Sequence, residues 1–123
     1  MKNRTIELIP YNPQWPQMFA GEAALIHQIL EKNCVIVHHV GSTSVPGLCA
    51  KPKIDIIVVV KIIEDALRLL ECAAYIPGGE LNIPFRFFFK KRGGEAKVNL
   101  HVYEESNPEI ELNLLFRDHL RNH

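Results

Sequence analysis

Two short stretches of this chain carry residue types suited to handling phosphate. The first is His38-His39-Val40-Gly41-Ser42-Thr43-Ser44-Val45-Pro46-Gly47, and the second is Lys51-Pro52-Lys53-Ile54-Asp55. In the first, a strand-like run ends at Gly41, where the missing Cβ lets another group approach the backbone. Ser42, Thr43 and Ser44 follow, with three hydroxyls and a run of N–H groups. If Val45-Pro46 opens a helical turn, those N–H groups point outward with partial positive charge, an anion-binding arrangement. Gly41, Ser42, Thr43, Ser44 and Lys51 are therefore candidate phosphate-binding residues, with Lys53 adding charge nearby. Asp55 stands among Ile54, Ile56 and Ile57. A carboxylate inside an apolar strand requires a partner, a metal or an edge position. The competing interpretation is a serine-rich turn between two strands, with Asp55 capping a neighbouring backbone group. A short glycine motif alone does not separate the two.

Other residues bear on the same chemistry. His39 is a candidate acid or base near neutral pH, pointing into the Asp55 pocket, or else a histidine that holds the loop by hydrogen bonds. His38 points the opposite way along the strand and is expected to have no catalytic role. Arg86, among Phe85, Phe87, Phe88 and Phe89, can reach a phosphate or extend into solvent from a packed aromatic cluster. Lys90-Lys91-Arg92 reads as the charged tip of a hairpin. Arg117 and Arg121 lie one turn apart on the last helix, where they suit either a phosphate or the helix's negative end.

The elements that position these residues follow from periodicity and breakers. Residues 5–9 read as a short strand stopped by Pro10. A helix entered through Pro16 runs to about residue 32, with Phe19, Ala23, Ile26 and Leu30 at helical spacing. Residues 35–41 form a strand and residues 42–50 a loop. Residues 53–60 are apolar almost throughout, as a strand covered on both faces should be. Residues 62–74 predict a helix terminated by Pro77-Gly78-Gly79. Residues 85–91 and 97–103 predict a hairpin around Gly93-Gly94, with Val98, Leu100 and Val102 on one face and Asn99, His101 and Tyr103 on the other. The final segment alternates at Ile110, Leu112, Leu114 and Phe116. Asn107 as a cap, Pro108 at the first position and Glu109 and Glu111 in the first turn favour a helix with a Leu112, Phe116, Leu120 stripe. The chain stops at Arg121-Asn122-His123, in mid-helix on this assignment. A truncated C-terminus, lacking a further helical segment, is therefore expected, and with it an exposed apolar face suited to self-association.

Composition bounds the rest. The 123 residues suit a single domain, and 47% hydrophobic residues suffice for a core. Fourteen basic residues balance fourteen acidic ones, so net charge does not indicate nucleic acid. Cys34, Cys49 and Cys72 form no CxxC pair and suggest neither a disulfide framework nor a zinc site. Lys2 and Arg4 are followed by Glu7 and Pro10, not by the apolar core of a signal peptide, and no run is long enough to span a bilayer. A cytoplasmic protein with no membrane partner is expected.

The run from His39 to Leu48, followed by Ala50-Lys51-Pro52 and Ile54-Asp55-Ile56, closely resembles the GrpB family, also met as a domain fused to dephospho-CoA kinase. Tyr11-Asn12-Pro13, Trp15 and Phe19 match its N-terminal pattern, Asn99-Leu100-His101-Val102 a later strand, and Phe116-Arg117-Asp118 with Leu120-Arg121 the start of its C-terminal helices. The resemblance covers nearly the whole chain. It implies an α+β fold, a nucleotidyltransferase-like mixed β-sheet flanked by helices. In that superfamily a Gly-Ser turn grips phosphates, and two or three carboxylates hold divalent metal beside them. Carried over, Gly41 and Ser42 hold phosphate and Asp55 binds metal. The second carboxylate, expected two residues after Asp55, is replaced by Ile57. The nearest match to a third ligand is His101. The implied catalytic set is thus Asp55, His39 and His101, with Asp55 and His101 as metal ligands. The implied cofactors are a divalent cation (Mg²⁺ or Mn²⁺, less readily Zn²⁺) and a nucleoside triphosphate as substrate. One Asp and one His suit Mg²⁺ poorly and Mn²⁺ or Zn²⁺ better. The implied function is binding of a nucleotide or other phosphorylated small molecule, with metal-dependent nucleotidyl transfer. The alternative, which Ile57 favours, is a non-catalytic nucleotide-sensing or protein-interaction module on the same fold.

Overall fold

The computed structural model describes residues 8–73, 75–79, 87–91 and 96–122. In chain order its elements are α1 (Trp15–Leu30), a 3-10 turn (Glu31–Asn33), β1 (Cys34–Val40), a second 3-10 turn (Ser42–Ser44), β2 (Lys53–Val60), α2 (Ile63–Cys72), β3 (Ile76–Gly79), β4 (Phe87–Lys91), β5 (Lys97–Glu104) and α3 (Pro108–Arg121). The strands make one mixed sheet in the order β1-β2-β5-β4-β3. Only the β2–β5 pairing is parallel; β1–β2, β5–β4 and β4–β3 are antiparallel. This is the α+β arrangement implied by the resemblance.

The continuous apolar run of β2 has the physical origin expected of it, since every residue from 54 to 60 is closed to solvent. Alternate side chains serve two cores. Ile54, Ile56, Val58 and Val60 join Leu100 and Val102 of β5 beneath α1 and α2, together with Trp15, Ile26, Leu30, Ala66 and Leu70. Ile57 and Val59 join Val40 and Tyr103 on the other face, where Ile110 and Leu114 of α3 pack. Near the far edge of the sheet, the Tyr75 hydroxyl donates to Glu22 of α1, and Lys91 of β4 reaches the same carboxylate oxygen at 2.9 Å. Burial, and then the Glu22 carboxylate, push the Tyr75 phenol well above its ordinary value.

The hairpin forms as the alternation predicts, with Phe87 opposite Val102 and Lys91 opposite Val98. Its Gly93-Gly94 tip, and most of the N-terminal strand expected over residues 5–9, lie outside the described residues. Ile9 makes a single antiparallel bridge to Ala50. Two expectations are corrected. The helix expected over residues 62–74 spans Ile63–Cys72, and Pro77 to Gly79 belong to β3. Proline is tolerated there because β3 is the edge strand of the sheet. The final segment is a helix, and Asn107 caps it, its Oδ1 accepting the Glu109 N–H at 2.9 Å. Its packed side carries Ile110 and Leu114, however, while Leu112 and Phe116 of the expected stripe are 58% and 66% exposed. No helix among the described residues is long and apolar enough to cross a membrane.

Candidate functional site

Asp55 is held by three neighbours. Asn99, its register partner on β5, donates from Nδ2 to Asp55 Oδ1 at 3.2 Å. His101 Nε2 lies 3.5 Å from the same oxygen, and Lys53 Nζ lies 3.8 Å from Oδ2. The structure therefore brings His101 to Asp55 on one sheet face. The carboxylate stands between two hollows. One, of about 300 Å³, is lined by Lys53, Asp55, Ile57, His101, Glu109 and Asn113 among others. The other, of about 180 Å³, is lined by Leu8, Ser42, Thr43, Lys51, Lys53 and Asp55.

The turn between β1 and β2 is built around this carboxylate. Gly41 has a positive φ of 78°, and a Cβ there would lie 2.6 Å from Asp55 Oδ2. Glycine is thus required twice, for the backbone conformation and for the approach of Asp55. The helical turn is Ser42–Ser44, three residues earlier than the expected opening at Val45, which is itself extended. The two buried hydroxyls are committed within the fold. Thr43 Oγ1 donates to the Lys53 carbonyl at 2.9 Å, and Ser44 Oγ donates to the Gly41 carbonyl at 2.6 Å. They shape the turn rather than face a ligand. Ser42 is exposed, and its hydroxyl has no partner among the described residues.

His39 is not in the Asp55 pocket. Directly paired residues of neighbouring strands share a sheet face. Val40 pairs with Asp55, so His39, paired with Ile56, faces the other way. His38, paired with Ile57, takes the Asp55 side. His39 is buried and stacked on Phe19 with ring centroids 4.9 Å apart. Its Nε2 lies 3.0 Å from Thr43 Oγ1. The Thr43 hydroxyl spends its only hydrogen on Lys53, so it accepts from His39, which places the ring proton on Nε2. The histidine holds the loop. Burial, and then the nearby Arg121 charge, push its pKa down to about 4.

A pH dependence follows. At pH 7 the ring is neutral whether the chain is folded or unfolded. Below the ordinary value of 6.5, the unfolded chain takes up a proton that the folded chain refuses until about 4, so stability falls as pH falls through that window. This ring alone accounts for a loss of about 2 kcal/mol between pH 7 and pH 5. Urea denaturation across that range checks it. His39→Gln is expected to flatten the profile, and an equally steep profile in the variant would rule out His39 as the source.

Among the expected site residues, the structure gathers Gly41, Ser42, Lys51, Asp55 and His101, sets His39 on the opposite face, and turns Thr43 and Ser44 inward. Arg86 lies outside the described residues. The cleft also contains Glu109 of α3, which the sequence presents only as a first-turn helix residue, and Asn113, which the sequence does not single out. The residues fall short of a resident metal cage. Asp55 and His101 are two donors, and among the described residues no group of three His, Cys, Asp or Glu side chains could hold a metal. Position 57, where a second carboxylate would stand, is 1% exposed and covered by α3.

A mixed sheet whose Gly-Ser turn leads into an aspartate-bearing strand defines a nucleotidyltransferase-like fold. In keeping with it, the Cid1 poly(U) polymerase superposes with a TM-score of 0.56 at 9% identity, over 91% of this chain and 37% of that one. Residues 5–123 match the GrpB protein family, and the chain belongs to it. The crystal structure of conserved protein GrpB from Enterococcus faecalis superposes with a TM-score of 0.85 at 37% identity, covering 95% of this chain and 73% of that one. The UPF0157 protein YqkA of Bacillus subtilis is 38% identical over an alignment of 123 residues that covers 98% of this chain and 36% of that protein. A UPF0157 protein of Halalkalibacterium halodurans is 42% identical over 97% of this chain and 62% of its own length. This chain thus spans less than two thirds of the length of these curated relatives.

Proposed function

We propose that this chain binds a phosphate-bearing ligand of the nucleotide class at the Gly41–Ser42 turn, as a binding module rather than a two-metal transferase. The observation that carries the proposal is the convergence of exposed Ser42, Lys51 and Lys53 on one hollow beside Asp55. Two ammonium groups and a hydroxyl supply charge and donors for phosphate oxygens. The apolar, covered position 57 removes the second carboxylate on which two-metal chemistry rests. A second reading, metal-dependent nucleotidyl transfer, is favoured by the juxtaposition of Asp55 and His101 at 3.5 Å on an open cleft. There, phosphate oxygens of the ligand would complete the coordination of a single ion such as Mn²⁺.

Thermal shift with each nucleoside triphosphate, with and without Mn²⁺, tests the proposal. A specific ligand at about 100 times its Kd stabilises the folded state by about 2.7 kcal/mol. Lys51→Ala/Lys53→Ala is expected to abolish the shift. No shift with any triphosphate in the parent chain would refute the proposal. Asp55→Asn separates the two readings. Binding without metal should strengthen, because a negative charge beside the phosphates is removed. Metal-dependent binding should instead be lost with the carboxylate.

A further inference from the structure

The two arginines on α3 are not part of the Asp55 site. They line a separate cleft of about 280 Å³ along the outer edge of β1, between α1 and α3. Arg117 is largely satisfied within the protein: Nε and Nη2 engage the Asp118 carboxylate at 2.9 and 2.8 Å, and Nη1 donates to the His39 carbonyl at 3.1 Å. Arg121 is held differently. Its Nε donates to the Ser44 carbonyl at 2.8 Å, and its two terminal nitrogens have no partner among the described residues. That pinned fork retains four N–H donors. No carboxylate is among the residues lining the cleft, and both histidines there, His38 and His39, are held below their ordinary pKa by burial, with Arg117 and Arg121 as the leading charges acting the same way. Arg121 has the like charge of Arg117 beside it, and its acidic neighbour Asp118 is already paired with Arg117, so the exposed fork keeps donors for an anion. The walls are Tyr11, Pro16, Phe19 and Pro46, which offer rings and apolar surface but no anion.

We propose that this cleft is a second ligand site, in which Arg121 receives the phosphoryl group of a small molecule whose ring portion lies against the Tyr11–Phe19 wall. A planar guanidinium presents paired N–H groups that match phosphoryl oxygens. The volume is near the lower end for small-molecule pockets and accommodates a phosphomonoester. The site is independent of the Gly41–Ser42 hollow. It lies on the other side of the 42–44 turn and shares only Thr43, which is buried and bonded internally.

Amide NMR titrations of the 123-residue chain at constant ionic strength test the proposal, with inorganic phosphate, phenyl phosphate and acetate as probes. Phenyl phosphate is expected to shift resonances around Tyr11, Phe19, His39 and Arg121, and to bind at least tenfold tighter than inorganic phosphate. Acetate is expected to leave them unmoved. If free phosphate binds as tightly as phenyl phosphate, the ring-bearing ligand class is wrong. If acetate binds comparably, phosphoryl recognition is wrong. Arg121→Gln should weaken phenyl phosphate at least tenfold, while Arg121→Lys, which keeps the charge and loses the fork, should be intermediate. Arg121 is exposed on the last turn of α3, so both variants are expected to fold, which an unchanged spectrum away from the cleft would confirm. Unchanged affinity in Arg121→Gln, or shifts confined to Ser42, Lys51 and Lys53, would overturn the assignment. Lys51→Ala/Lys53→Ala should leave phenyl phosphate binding in this cleft intact even where it abolishes triphosphate binding at the other.

Discussion

Ile57→Asp, which writes the two-carboxylate spacing back into β2, is expected to destabilise the protein by about 4 kcal/mol rather than to create a metal site. Ile57 is 1% exposed and packs with Val40, Val59 and Tyr103 under Ile110 and Leu114 of α3. The substitution removes part of the apolar surface on which α3 is seated. It also places a carboxylate at the closed floor of the cleft. Its neighbours in register are His38 on β1 and His101 on β5, and the His38 ring is held below its ordinary pKa by burial and by Arg117. Near pH 7 the neutral His38 imidazole gives a buried carboxylate little compensation. Because small domains hold only about 5–15 kcal/mol in all, the variant should lie close to its unfolding threshold. Urea denaturation measures the loss. A cost under 1 kcal/mol would mean that α3 is not seated on this position. Recovery of the full loss on adding Mn²⁺ would mean that the cleft accepts a second acidic ligand, and would restore the transferase reading.

That contrast between positions 55 and 57 shows what a chain in one dimension reveals. The double burial of β2 is legible because an unbroken apolar strand must be covered on both faces to be kept from water. Asp55 is conspicuous because it interrupts such a strand. The pairing of Asp55 with His101 is suggested by the family resemblance, whereas the polar alternation of β5 by itself only sets His101 on one face with Asn99. The face taken by His39 is not legible. It depends on the register that sets Val40 against Asp55, and a shift of one residue would reverse it. The turn chemistry is similarly hidden, since Thr43 and Ser44 look like ligand hydroxyls until their partners, the carbonyls of Lys53 and Gly41, are seen. On α3 two apolar stripes compete in sequence. The docked one carries Ile110 and Leu114 because that face also places Arg117 against the β1 edge, through the His39 carbonyl. The contribution of Glu109 and Asn113 to the cleft follows from this docking and has no local signature. Pro77 to Gly79 suit both a helix stop and an edge strand, and only the neighbouring β4 decides between them.

Gly41→Ala should cost about 3 kcal/mol, and comparison with Gly47→Ala resolves where the cost arises. Both glycines have positive φ, 78° and 85°. A Cβ at Gly47 meets nothing within 4 Å, whereas at Gly41 it meets Asp55 Oδ2 at 2.6 Å and Asp55 Cβ at 3.0 Å. Gly47→Ala therefore bears only the conformational penalty, about 1 kcal/mol. The additional cost at Gly41, about 2 kcal/mol, is the displacement of Asp55 from a close-packed strand. Adding Asp55→Ala should recover only part of it, because the oxygen contact goes and the Cβ contact stays. Equal losses at Gly41 and Gly47 in urea denaturation would show that the turn needs glycine for its backbone alone. Unequal losses would show that Gly41 is small because Asp55 must lie against it. The functional consequence then follows from the same geometry. A methyl at Gly41 pushes the carboxylate away from Asn99 and His101 and into the hollow shared by Ser42, Lys51 and Lys53. Triphosphate binding there should fall at least tenfold in Gly41→Ala and be unchanged in Gly47→Ala. On that comparison the Gly-Ser turn is a feature that sets the position of a carboxylate, and the hollow proposed for phosphate is the space left beside it.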